Sequence, residues 1–185
     1  MSTLLLDVLK KYKKNNIFLE TGSYKGGGIE VALAAGFKKI ISIEINPEYH
    51  NICKEKFKNN IENGSVELFL GDTLNVLKEI LPKLESAATF WLDAHIDWEC
   101  NISGITPSPL VFELNLIKKY NEKNLNHTIL IDDMRVFRTK VGWGAYNPVS
   151  EEEIKDKILN INSNYKICYE KNSVQDDDVL VAYFD

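Results

Sequence analysis

Five short apolar runs, each ending on or next to a carboxylic acid, constrain this 185-residue chain more than any other feature. They are Ile17–Leu19 before Glu20, Lys39–Ile43 before Glu44, Val66–Leu70 before Gly71-Asp72, Ala88–Leu92 before Asp93, and Thr128–Ile131 before Asp132-Asp133. Runs of this length, bounded by turn signals and separated by helix-period segments, predict parallel strands buried on both faces and joined by crossover helices. In an open sheet of that kind, ligands bind beyond the carboxyl ends of the strands. The five acids would therefore gather at one edge, and chance is a weak account of all five.

The intervening segments read as helices with recognisable ends. Leu4 to Lys14 is amphipathic and stops at Asn15-Asn16. Ile29–Ala35 follows a glycine turn, with Gly36 as C-cap. Asn46-Pro47 opens a helix whose apolar face is Tyr49, Ile52, Cys53 and Phe57. Gly71-Asp72-Thr73 caps a helix through Leu74, Leu77 and Leu81, and a further helix runs from about Ser108 to Tyr120. Arg135 to Val149, with Gly142, Gly144 and Pro148, reads as loop, and Ser150-Glu-Glu-Glu153 is a capping box that starts a last helix. Tyr165–Glu170 and Val179–Phe184 are two more strands, separated by Asn172-Ser173 and Asp176–Asp178, which suits a hairpin. The expected fold class is α/β: a Rossmann-like doubly wound sheet, mostly parallel with an antiparallel last strand, in one domain spanning residues 1–185.

Bulk properties narrow the function. A net charge of −5 with no basic block argues against general nucleic-acid binding or an anionic membrane surface. Cys53, Cys100 and Cys168 are far apart, which argues against a disulfide framework or a cysteine zinc site and fits a reducing, cytoplasmic setting. The opening residues lack the basic region of a signal peptide, and no apolar run approaches the ~18–20 residues that span a bilayer.

The glycine turn after the first run, Thr21-Gly-Ser-Tyr-Lys-Gly-Gly-Gly28, brings backbone N–H groups and a helix start close to a ligand. It is not G-x-G-x-x-G, which disfavours a dinucleotide, and no G-K-[ST] follows, so it is not a Walker loop. Glu20 beside it would repel a pyrophosphate but suits a ligand with a cationic end. Glu44, 24 positions further on at the next strand end, is placed to accept ribose hydroxyl protons.

Glu20-x-Gly22-Ser23-x-x-Gly26, Glu44, Gly71-Asp72, Asp93-x-His95 and Ile131-Asp132-Asp133, in that order, resemble a class I S-adenosylmethionine-dependent methyltransferase. The chain is most similar to the small O-methyltransferase-like group that includes cephalosporin hydroxylase and macrocin O-methyltransferase relatives, over roughly residues 15–135. The resemblance implies S-adenosylmethionine (SAM) as cofactor. Gly22, Ser23 and Gly26 would lie near its methionine part, Glu20 near the amino group, Glu44 at the ribose, Asp72 beside the adenine, and Asp93 at the end facing the substrate. Asp93, Asp132 and Asp133 would hold a divalent cation such as Mg²⁺, and Asp93, His95 and Asp132 would form the catalytic set. The implied acceptor is a small-molecule or saccharide hydroxyl, with a homo-oligomer open as an assembly.

A hydroxyl nucleophile must be oriented and lose its proton. A hard cation can do both, and a histidine titrating near neutrality can take the proton. His95 can equally be a structural hydrogen-bonded residue, and one of the Asp132-Asp133 pair can face outward. Asp97 and Glu99 can simply solvate their loop. Arg135, Arg138, Trp143 and Tyr146 can line an acceptor pocket, or Trp143 can anchor a loop. His50 and His127 lie on other elements, which argues against a multi-histidine metal site. No Asn/Asp-Pro-Pro-aromatic motif follows the fourth strand, and the insertions of larger methyltransferases are short or missing, so the acceptor pocket is either open or completed by a partner subunit. Gly27 and Gly28 have no evident use beyond close packing. The rivals are a metal-dependent hydrolase or phosphoesterase built on Asp93, His95, Asp132 and Asp133, a non-catalytic SAM-binding module, and more distantly a nicotinamide-dependent oxidoreductase.

Overall fold

A computed structural model describes residues 2–96, 100, 102–139 and 149–185. In chain order the elements are α1 (Leu6–Tyr12), β1 (Ile17–Thr21), α2 (Gly27–Ala34), β2 (Lys39–Glu44), α3 (Pro47–Lys56), α4 (Lys58–Glu62), β3 (Val66–Leu70) and α5 (Thr73–Ile80). A short 3-10 turn at Leu81–Lys83 is followed by β4 (Ala88–Leu92), α6 (Leu110–Tyr120), β5 (Thr128–Ile131), α7 (Met134–Thr139), α8 (Glu151–Ile161), β6 (Lys166–Glu170) and β7 (Val179–Tyr183).

The seven strands form one sheet in the order β3-β2-β1-β4-β5-β7-β6. β1 to β5 pair in parallel, and β7 inserts antiparallel between β5 and β6. The last strand is thus antiparallel, as expected, and the terminal pair is a hairpin. Alternate residues of the central strands enter two apolar layers. Leu19, Ile41, Phe90 and Ile129 face α5, α6 and α8. Phe18, Ile40, Trp91 and Leu130 face α1, α2 and α3. Burial on both faces is why these strands read as continuous apolar runs.

The helix starts follow local chemistry. Asn46 accepts from the Glu48 N–H with Pro47 in the first turn, and Asp72 accepts from the Leu74 N–H. Ser150 and Glu153 form the reciprocal capping box. Several boundaries differ from the reading of the sequence, some strand ends by one or two residues. α1 ends at Tyr12, α2 begins at Gly27, α6 begins after Pro109, and the helix from Pro47 breaks at Phe57 before the short α4. Ile52 is 43% exposed, so the buried face of α3 is Tyr49 and Cys53.

The larger correction concerns Arg135–Thr139, expected as loop and found as most of α7. Its opening N–H groups are satisfied from far along the chain. Met134 N–H donates to the Asp178 carbonyl (3.0 Å) and Arg135 N–H to the Asp178 carboxylate (2.7 Å). A cap supplied by a residue 43 positions away leaves no trace in the local sequence. Gly142, Trp143, Gly144, Tyr146, Pro148, Asp97 and Glu99 lie outside the described residues.

Candidate active site

The strand order reverses between β1 and β4, where the crossovers run to opposite sides and leave a crevice at the strand ends. Gly22, just after β1, sits at φ +85°, a conformation that costs residues with a side chain. Its N–H and that of Ser23 both donate to the Ile43 carbonyl, at 3.0 and 3.1 Å, tying the turn to β2. On its other side a Cβ at Gly22 would lie 2.9 Å from the Asp93 carbonyl oxygen. The turn after β1 therefore rests directly on the chain leaving β4.

A cavity of about 460 Å³ opens there, bordered by Glu20, Gly22, Ser23, Glu44, Asp72, Asp93, His95, Asp132 and Asp133 among others. That is in the size range of cofactor and small-ligand sites. Gly26, expected beside the ligand, does not border it. Gly26 is the αL residue before α2 and backs onto Phe57 and Cys53. Residues given no site role in the sequence also border the cavity: Ser2, Thr3, Tyr24, Ile45, Asn46 and Tyr49.

Glu20 is fully buried beneath the turn. Ser42 Oγ donates to its Oε1 at 2.7 Å and also pairs with Ser23 Oγ. Its other oxygen occupies the space where Gly28 would carry a Cβ, which accounts for a glycine there. Burial pushes the Glu20 carboxyl up to about 8, against the Ser42 hydrogen bond, with Glu44 adding to the rise. Behind the site, Glu113 on α6 accepts from Thr73 Oγ1 (3.0 Å) and is pushed up to about 7 by burial.

These two carboxyls set a pH dependence. In the unfolded chain they ionise near pH 4.5, whereas the fold keeps them protonated to about 8 and 7. The native state then binds more protons than the unfolded one, so stability falls as pH rises through this range. His127, lowered to about 4 by burial, acts in the opposite sense only below its ordinary value of 6.5. Melting temperature should therefore decrease between pH 6.5 and 8, and Glu20→Gln should lessen that slope, the remainder coming from Glu113 and the raised Asp93. A melting temperature that rises across the same window would contradict the assignment.

Glu44 is buried and accepts from the Tyr24 N–H (2.7 Å) through Oε2 and the Asn46 N–H (2.8 Å) through Oε1. Asp72 serves two backbones, taking Leu74 N–H (2.8 Å) on Oδ1 and Ile105 N–H (2.7 Å) on Oδ2, so it holds the Gly104-Ile105 loop against the start of α5.

At the other end, the carboxylates separate into two groups. Asp93, His95 and Asp133 offer atoms within 4.8 Å of one another, as do Asp132, Asp133 and Asp178. In the second group every carboxylate already receives donors. Thr3 Oγ1 and Asn172 Nδ2 (2.9 Å) donate to Asp132, Arg135 Nη1 pairs with Asp133 (2.7 Å) and with Asp178, and Asn172 Nδ2 donates to Asp178 (2.7 Å). That chemistry suits an internal arginine rather than a metal ion. Arg135, a candidate acceptor contact, is thus the counter-ion of this group, and Arg138 pairs with Glu151 (2.7 Å). Burial and Asp133 push Asp132 up to about 6. Burial and the neighbouring Asp132 and Asp133 raise Asp93 well above the usual carboxylate range.

His95 Nδ1 lies 2.8 Å from the Ile96 carbonyl, which can only accept, so this nitrogen carries the proton. Nε2, 3.8 Å from Asp133 Oδ2, is then the basic nitrogen. His50 is on α3, and His127 is buried before β5 with its Nδ1 accepting from Ala88 N–H (3.0 Å), so neither joins His95.

Asp178 is fully buried at the centre of the second group and was not singled out in the sequence. The antiparallel pairing of β7 puts the residue just before it at the edge where the parallel strands end. The Asp176–Asp178 run was the available signal, and it reads equally as a turn.

No family model matches the sequence, and no curated protein matches it. Solved structures do match its fold. The SAH-bound methyltransferase PaMTH1 of Podospora anserina aligns with 97% of this chain and 76% of its own, at TM-score 0.64 and 17% identity. The chain has a methyltransferase fold. TomG, an O-methyltransferase of Streptomyces achromogenes involved in tomaymycin synthesis and solved with SAM, aligns with 98% of this chain and 78% of its own (TM-score 0.61, 12% identity). An O-methyltransferase from Bacillus cereus in complex with SAH covers 97% of this chain and 78% of its own (TM-score 0.62, 13% identity). At such identities the likeness establishes architecture, and the chemistry rests on the site's own residues. No helix among the described residues is long and apolar enough to cross a membrane.

Proposed function

We propose that this chain, as a single domain over residues 1–185, is a SAM-dependent methyltransferase acting on a hydroxyl oxygen of a small molecule or sugar. The observation that carries the reading is the crevice at the β1/β4 reversal, where the Gly22 turn rests on Asp93 with Glu20 beneath it and Glu44 one strand away. The residues fit the cofactor. The Gly22 turn and Glu20 border the cavity where the methionine part would lie, and Glu44, fixed by the Tyr24 and Asn46 N–H groups, borders it at the next strand end, where the ribose would lie. Bound SAM supplies an electrophilic methyl group on a sulfonium.

The protein's part is to place an acceptor oxygen in line and to take its proton. His95 is set for the second task, since the Ile96 carbonyl holds the ring with Nε2 as the base. Asp93 and Asp133 are the residues that would hold a divalent cation such as Mg²⁺, with Asp132 braced behind them by Thr3 and Asn172. Such a cation would lower the acceptor hydroxyl's pKa and orient it. Asp72 acts on the adenine side through the loop it anchors.

Transfer of labelled methyl from SAM to a panel of sugars and phenols tests the reading. His95→Gln should lower the rate about 10²–10⁴-fold, the ordinary contribution of a general base. Its affinity for S-adenosylhomocysteine should stay unchanged. Chelation followed by Mg²⁺ addition should remove and restore activity. Full activity in His95→Gln would eliminate the base assignment.

A further inference from the structure

We infer that Ser2–Leu5 is a strap that closes over the cavity and retains the bound cofactor, and that Gly27 is the seat it closes onto. The inference deepens the methyltransferase reading above and rests on it for the identity of the ligand. Residues 2–5 precede α1 and belong to no helix or strand, yet Ser2 and Thr3 border the cavity. Much of the remaining border is tied down. The Gly22 turn is bonded to β2, and Asp72 holds the Gly104-Ile105 loop.

The fastenings of the segment are specific. Thr3 Oγ1 donates to Asp132 at the end of β5, and the Thr3 carbonyl accepts from the Ser173 N–H (2.9 Å) between β6 and β7. Leu4 is buried in the apolar layer beneath α1 and α2. Ser2 lies against Gly27, where a Cβ would come 2.8 Å from both the nitrogen and the Cβ of Ser2. The strap therefore joins the start of α2, which follows β1, to the end of β5, and β4 lies between those two strands. A ligand in the β1/β4 crevice lies on that path. Gly27 singles out the seat. It is the first residue of α2 and is not among the glycines at positive φ. Alanine is the better helix residue there, so α2 itself has no use for a glycine, whereas the approach of Ser2 does.

A segment outside the sheet ladder, with so few bonds to its neighbours, opens at a lower free energy than the sheet does. α1 stays anchored by Val8, Leu9 and Tyr12, so opening is confined to the residues before it. Asn172 also donates to Asp132, which therefore keeps a donor when Thr3 leaves. Opening lets the ligand pass and closing retains it, and gates of this kind set the rate of ligand release.

Hydrogen exchange of the intact protein without ligand tests the fastening, and the dissociation rate of labelled SAM tests its use. In Gly27→Ala the Ser173 N–H should exchange about tenfold faster, the order of one lost hydrogen bond, while the amides of β4 and β5 keep their protection. SAM should leave this variant about tenfold faster as well. Thr3→Val should reproduce both effects, and Thr3→Ser, which keeps a donor, should restore wild-type release. If Gly27→Ala does not fold, the two Thr3 variants decide. A Thr3 that only braces Asp132 would alter methyl transfer and leave SAM release untouched, which overturns the inference. Unchanged SAM release in a folded Gly27→Ala overturns it too. Failure of the wild type to bind SAM overturns the methyltransferase reading instead, while exchange at Ser173 still decides the strap.

Discussion

Asp178→Ala should be among the most destabilising single substitutions in the chain, costing about 3 kcal/mol in a urea unfolding experiment, in line with breaking a buried ion pair. The carboxylate is fully buried and takes three donors, and the residue's own carbonyl takes a fourth. It pairs with the Arg135 guanidinium, accepts the Arg135 N–H that opens α7, and accepts from Asn172, while its backbone carbonyl takes the Met134 N–H. Alanine preserves the last of these and removes the rest. Arg135 would then lean on Asp133 alone, and Asn172 would lose one of the two carboxylates it bridges. Because Asp132 and Asp133 border the cavity, a loosened Arg135 should also disturb the acceptor end. Asp178→Asn retains the shape and one acceptor and should cost clearly less. A loss below about 1 kcal/mol for the alanine variant would place it among ordinary hydrogen bonds and contradict the central position given to Asp178.

The second large effect concerns binding. Gly22→Ala should weaken SAM binding about 100-fold, equivalent to about 2.7 kcal/mol. Two costs combine. A side chain at φ +85° is strained by about 1–2 kcal/mol. The added Cβ would also meet the Asp93 carbonyl at 2.9 Å, and neither backbone can yield without shifting β1 relative to β4. Since Gly22 is also bonded to Ile43, the relief available is a displacement of the whole turn, which carries Ser23 and Tyr24 away from the cavity. Stability should fall much less than affinity. An alanine variant that binds normally would show that the turn does not contact the ligand.

How much of this was legible beforehand follows from burial. β4 and β5 occupy the residues their apolar runs mark, because a strand covered on both faces has no polar face to blur its ends. The acids at the strand ends were legible because each is the first carboxylate after an apolar run, Glu20 and Glu44 within the last residues of β1 and β2 and Asp93 and Asp132 just past β4 and β5. What was hidden depended on pairing across the chain. α7 is capped by Asp178, and Asp178 reaches the site because β7 inserts antiparallel beside β5. Asp132 is braced by Thr3 and Asn172, 129 and 40 positions away. Gly28 looked redundant until Glu20 was found to fill the space its side chain would occupy. Gly26 looked like a ligand contact but serves the packing of Phe57 and Cys53. A spacing motif records which backbone turns, and does not record which way each turn faces.

The central claim is that the crevice between β1 and β4 is a cofactor site for S-adenosylmethionine. Titrating SAM into the purified wild-type protein and into Gly22→Ala by calorimetry tests it most directly. The predicted result is saturable binding of one SAM per chain by the wild type, weakened about 100-fold by the alanine. No heat of binding with folded wild-type protein would contradict it.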